Sequence, residues 1–235
     1  MAKTSAASVA VNVLTSPGEA FRSIKDRPRF GLPMILVVLF AVAASGIATT
    51  QIDLGWVTEQ QLRSQTFIDL TEEQIQQRVE AAAEAGPMLT IVIQTIAISI
   101  VLPALLLLCA LYLRVVTIFT KDSVRFVQWL GVACWATLPY IFDSIATTVF
   151  VLTNDVSFVP STELNPLTFG NLLQFDRADA PASVRLLMFM SPVQAWCTVL
   201  AIIGHKIVSG KNILLSIAVI LAPLALLAAV ITAAF

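Results

Sequence analysis

Apolar positions in this chain fall in long uninterrupted blocks, not in the three- and four-residue rhythm of a soluble helix. Five blocks, at about 32–50, 88–113, 127–152, 186–204 and 213–234, come close to or exceed the roughly 20 mainly apolar residues that a helix needs to cross the hydrocarbon of a bilayer. They predict an all-α, polytopic membrane protein with five transmembrane helices in a membrane domain spanning 32–235. A polar segment, 1–31, precedes the first block. Two outer segments, 51–87 and 153–185, alternate with two short turns, 114–126 and 205–212.

The polar stretches carry their own start and stop signals. In SPGEAFRSIK, Ser16 is placed to cap a helix, Pro17 to occupy its first position and Glu19 to complete a capping box. Ala20, Phe21 and Ile24 then share one face while Arg22 and Lys25 share the other. Such a helix suits the membrane interface, and it suits equally a helix packed on the protein's own loops. Phe21, Arg22, Ile24 and Lys25 are therefore one candidate interaction face. In the first outer segment the start signal occurs twice, as VTEQQL and LTEEQI, with Thr58 and Thr71 as caps and Gln61 and Gln74 at the third helical position. A short outer helical pair is expected, stopping at Gly86-Pro87. Ile75, Val79 and Ala83 form a narrow apolar stripe on its second helix, expected to rest on the outer ends of the spans. Ile75 and Val79 are the second candidate face. The later stretch NPLTFGNLLQF is apolar but too short to span, and is expected to dip into the interface or cap the bundle.

Composition excludes a soluble domain. Of 235 residues, 57% are hydrophobic and 12% charged, with a mean hydropathy of +0.86, against about 25% charged in an ordinary soluble domain. Charge then orients the spans. Ten of the 14 Lys and Arg lie in 1–31, 114–126 and 205–212, and four in the two outer segments, beside eleven acids. Cytoplasmic loops hold the excess of cations, so the N-terminus is read as cytoplasmic and Phe235 as outside. A cleaved signal peptide is the rival for the first block, disfavoured because its basic leader would run to about 30 residues. Cys109, Cys134 and Cys197 all lie in apolar blocks and imply no disulfide.

Little in the chain points to catalysis. The single histidine, His205, rules out HExxH and is read as a cationic helix end at the headgroups. No GxSxG and no Gly-rich phosphate loop occurs. No catalytic, metal or cofactor residue is assigned, and the expected partners are membrane lipids and other membrane proteins, with a second copy of the chain as a further option and nucleic acid excluded. What stands out is Asp143, the one acid inside an apolar block. Pro139 lies four residues before it, and a kink there would free the carbonyl of Trp135. Placing Trp129 in the interfacial aromatic belt sets Asp143 between the middle and the outer third of the hydrocarbon. Its candidate companions are Gln94 and Ser99 in the second block and Gln194 in the fourth, along with Thr95, Tyr140 and Thr147. A lone buried acid holds helices in register or serves a polar path. The absence of an identified second station favours the structural role.

SPGEAFRSIKDRPRFGLP, WATLPYIFDSI, NPLTFGNLLQF and SPVQAWCTVLAIIGHKIVSGKNILLSI together resemble the bacterial branch of the Yip family of five-pass membrane proteins. Pro139, Trp196, Gly204 and Lys211 are the most specific points of likeness. One departure is at the start of the fourth block, where bacterial relatives often carry an acid and this chain has Ser191-Pro192. In eukaryotes the resemblance implies vesicle trafficking and binding of Ypt/Rab GTPases. For bacterial members it implies membrane residence and, for some, association with transport complexes. With no N-x-[ST] sequon present, the chain is read as an inner-membrane protein of a bacterium. The expected function is a non-enzymatic adaptor or regulator of other membrane proteins. The alternative is a transporter or channel for a small solute, lipid or ion, using a polar cavity around Asp143.

Overall fold

The computed structural model describes residues 5–64, 70–120, 123–174, 184 and 187–234, and among these every regular element is helical. The N-terminal segment holds two helices where the pattern marks one. α1 (Ala6–Thr15) is capped by Ser5, whose hydroxyl accepts the Ser8 N–H. α2 (Pro17–Asp26) follows directly, without the expected capping box. Ser16 closes α1 by donating its N–H to the Asn12 carbonyl, and its backbone (φ −145°, ψ 63°) is drawn away from the extended geometry that would aim its hydroxyl into α2.

α3 (Gly31–Thr49) is the first long apolar helix. The outer pair comprises α4 (Leu54–Ser64) and the first part of α5 (Glu72–Thr120). Thr58 does not cap α4. The helix starts earlier because the Asp53 carboxylate accepts the Trp56 N–H at 2.9 Å, while the Asp53 N–H is held by the Ser157 carbonyl. Thr71 and Gln74 do form their reciprocal box. Arg63 joins the pair, bonding Glu59 and both oxygens of Glu72. The Glu72 carboxyl is held below its ordinary range chiefly by that hydrogen bond. At Gly86, φ is 70°, a left-handed value that a side chain would resist, and Pro87 restarts the helix. From Pro87 to Thr120 the helix is ~50 Å long, well beyond a ~30 Å hydrocarbon core.

The third apolar block is two helices, α6 (Phe126–Ala136) and α7 (Tyr140–Thr153), separated at Thr137–Pro139. The Trp135 carbonyl, which Pro139 cannot reach, is not left free: it accepts the Leu138 N–H at 3.3 Å. A 3₁₀ turn (Ser161–Glu163) and α8 (Phe169–Leu172) follow in the outer loop. α9 (Pro192–Ser209) ends at Gly210, and α10 (Ile213–Ala234) completes the chain's helices.

Four of these segments, 31–49, 72–120, 126–153 and 213–230, are long and apolar enough to cross a membrane among the described residues. α9 is not one of them, since Gln194, His205 and Lys206 dilute its apolar run. Within the bundle it packs against α2, α6 and α10, with α6 at the centre of the core. Ile93, Ile100, Leu108 and Leu226 are exposed on α5 and α10, an outer surface suited to lipid.

α2 is part of this core and does not lie on the membrane by its apolar face. Phe21 and Ile24 are 0% and 2% exposed, set against Gly204 of α9 and Gly131 of α6. The Gln128 amide donates to the Lys25 carbonyl, and the Trp135 indole to that of Arg29, fastening the segment at two further points. In the outer pair, Ile75 is buried and Val79 half-buried. Val79 and Ala83 face the Gly55 backbone of α4, so this part of the stripe closes the pair on itself. Trp129, expected in the interfacial belt, is fully buried, because α6 is covered on all sides from Trp129 to Ala136.

Candidate functional site

Asp143 sits in the first turn of α7, one turn after the break at Pro139. Asp143 is 2% exposed. Ser191, also buried, donates its hydroxyl to Asp143 Oδ2 at 2.7 Å. Oδ1 has no hydrogen-bond partner among the described residues. Ser191 is thus the polar partner at the start of α9, and its signal was present in the sequence as S-P-x-Q, an N-terminal capping box. The box forms: Gln194 N–H donates to Ser191 Oγ, and Gln194 Oε1 accepts the Ser191 N–H. Gln194 therefore acts on Asp143 through Ser191 and is not itself a partner of the acid.

A cavity of about 540 Å³ opens beside Asp143, walled by α3, α5 and α7. Gln94 lines it, with its Oε1 accepting hydroxyls from Ser45 at 2.7 Å and Thr49 at 2.8 Å. That leaves the Gln94 amide N–H₂ as the end with hydrogens to give. Tyr140, Ser144 and Thr147 contribute from α7, and Ser161 and Asn165 from the outer loop. The loop's inner face, Val156 and Leu164, is buried against Ala48 and Val151. The rest of the cavity wall is aliphatic, from Ala41, Ala44 and Ala48 of α3 and Ile98, Val101 and Leu102 of α5.

Ser99 is not in this set. Five residues on from Gln94 is about 140° around a helix, and Ser99, with Thr95, lines a separate groove against Met34, Val38 and Pro103. His205 is likewise displaced from its expected place at the headgroups. Because α9 continues to Ser209, His205 lies a turn inside the bundle, 2% exposed, stacked on Trp129 at 5.2 Å with Nδ1 2.9 Å from Ser216 Oγ. Among the described residues no three His, Cys, Asp or Glu side chains gather as a metal site.

Over residues 11–234 the sequence matches the family model described as the Yip1 domain. The chain belongs to the Yip1 family. No curated protein and no solved structure matches it. In this Yip1 domain the long apolar helices form the membrane body. A proline and a glycine behind the resemblance have structural work to do: Pro139 precedes the first residue of α7 at the break from α6, and Gly204 makes room for Phe21.

Proposed function

We propose that this Yip1-family protein is non-enzymatic and works by holding a small cationic or hydrogen-donating solute in the cavity beside Asp143, as a carrier or a solute-gated regulator. The observation that carries the reading is Asp143 itself, a buried acid with one unpartnered oxygen, among the residues that line a roomy cavity. An unsatisfied buried acceptor costs about 1–3 kcal/mol, more when charged, and a bound donor or cation offsets that cost. Gln94, Thr49 and Tyr140 supply the second polar station that a path needs. The adaptor reading has less support from the geometry. Its apolar anchors Phe21, Ile24 and Ile75 are buried within the fold, leaving it exposed charges alone, the acids Glu73, Glu80 and Glu84 of the outer pair and the cations Arg22 and Arg27 of the N-terminal segment.

To test the cavity, Thr147→Cys is placed in a background lacking Cys109, Cys134 and Cys197. A cationic thiosulfonate should modify it faster than an anionic one by roughly tenfold, the rate equivalent of ~1.4 kcal/mol of attraction to a nearby carboxylate. Asp143→Asn should abolish the preference. Equal rates in the parent would remove the solute-binding reading and leave the adaptor.

We also propose the orientation that the charge count favours, with the N-terminus in the cytoplasm of a bacterial cell and the C-terminus outside. Single cysteines at Glu73 and Glu163 should react with an impermeant maleimide on sealed cells, and those at Lys25 and Lys211 only after permeabilisation. Labelling at 211 in sealed cells would sink that topology.

A further inference from the structure

A second cleft lies at the opposite, basic end of the bundle. It has a volume of about 550 Å³, and Arg22 and Lys25 of α2 face Lys206 and Lys211 across it. Among the described residues Asp26 is the one acid on its wall, and Lys211 Nζ also donates to the Thr120 carbonyl at 3.2 Å. We propose that this cleft binds the phosphate of an anionic phospholipid headgroup.

Two elements distant in sequence are brought together to make it. Docking of Phe21 beside Gly204 fixes α2 along α9, which sets Arg22 and Lys25 opposite the last turn of α9. Gly210 then turns the chain with a φ of 74°, returning Lys211 to the same wall as Lys206. Lys25 donates to the Ile207 carbonyl at 3.2 Å, a neutral acceptor that positions its ammonium and leaves its charge in place. Arg22 and Lys206 are exposed at the rim. A guanidinium beside ammonium groups is a chemistry suited to a phosphate, the fork giving paired hydrogen bonds and the amines point charge.

The surroundings favour a lipid over a free phosphate. Directly after Lys211, α10 begins with Ile213 and Leu214, 41% and 73% exposed, and continues as a strongly apolar helix. A phosphate seated in the cleft would have its acyl chains laid along that face. The cleft is also on the side where cations predominate, the side that meets the anionic leaflet in the orientation proposed above. The proposal does not depend on the Asp143 cavity, which lies at the other end of the fold.

The test uses the full chain, delipidated in mild detergent and titrated with phosphatidylglycerol or phosphatidylcholine, with bound lipid counted by native mass spectrometry. The wild type should retain phosphatidylglycerol with a preference on the order of tenfold. The preference should be lost in the double variant Arg22→Gln/Lys206→Gln, both rim residues whose loss leaves the core intact. Arg27→Gln/Arg78→Gln removes the same charge elsewhere and should keep it. The proposal is overturned if the wild type holds both lipids equally or if the rim variant keeps its preference. It is equally overturned if the control variant loses as much, which would mean diffuse attraction, or if inorganic phosphate at equal concentration displaces the lipid, which would mean a free-anion site.

Discussion

Phe21→Ala is expected to destabilise the protein by about 3–5 kcal/mol, the usual cost of deleting a buried aromatic ring. The ring is fully buried, and it holds α2 against both α6 and α9. Loss of the ring would open a cavity at a junction of three helices, and α2 has few other apolar anchors. The reverse test is Gly204→Ala. An added Cβ would come within 2.8 Å of Val132 and 3.0 Å of Phe21, an overpacking worth about 1–3 kcal/mol. Because both changes act on one contact, the double variant should cost less than their sum. The measurement is unfolding in detergent for the four proteins of the cycle. If Phe21→Ala left unfolding unchanged and weakened only binding to vesicles, the ring would be lipid-facing and the docked arrangement wrong.

The second large effect is expected at Asp143, where two substitutions should separate. Leucine removes the acceptor for Ser191 and leaves its buried hydroxyl hydrogen unpaired, which should cost about 1–3 kcal/mol of stability. Asparagine keeps an oxygen in reach of that hydroxyl and should fold and express normally. It nevertheless removes the negative charge from the cavity, so any cation- or donor-dependent activity should fall. Ser191→Ala is the companion change. It strips both the bond to Asp143 and the cap of α9, and should destabilise by at least as much as a lost cap, about 1 kcal/mol. Normal activity in Asp143→Asn, with Asp143→Leu unstable, would reduce the acid to a helix tie and end the solute reading.

The part of this site that could be read from sequence is the part governed by local rules. An acid in an apolar block, four residues after a proline, must be buried, and Asp143 is. Gln94 could be named as a companion because few polar groups exist at membrane depth, yet the same reasoning also named Ser99, which faces away. Nothing in an apolar block without a clear polar stripe tells which angular sector faces the bundle. Ser191 stood out only as a departure from the family pattern and not as a partner of Asp143, although its capping box was legible, since the box says where a helix starts and nothing of what the capping hydroxyl meets.

The sequence by itself determined that the chain is helical and membrane-embedded. It also determined where helices must stop: long apolar blocks have no other stable form in lipid, and Gly86-Pro87 and Thr71 act through backbone geometry within a turn of themselves. Which surface each apolar face meets was decided only by tertiary structure. Phe21 and Ile24 on one side of a short helix satisfy lipid and protein alike, because hydrocarbon tails are as apolar as leucine. What chose protein was the absence of a side chain at Gly131 and Gly204, distant in sequence from α2 and visible as its docking site only once the helices are packed. The same packing brought Lys206 to Arg22 and Ser191 to Asp143, pairings that no local pattern encodes.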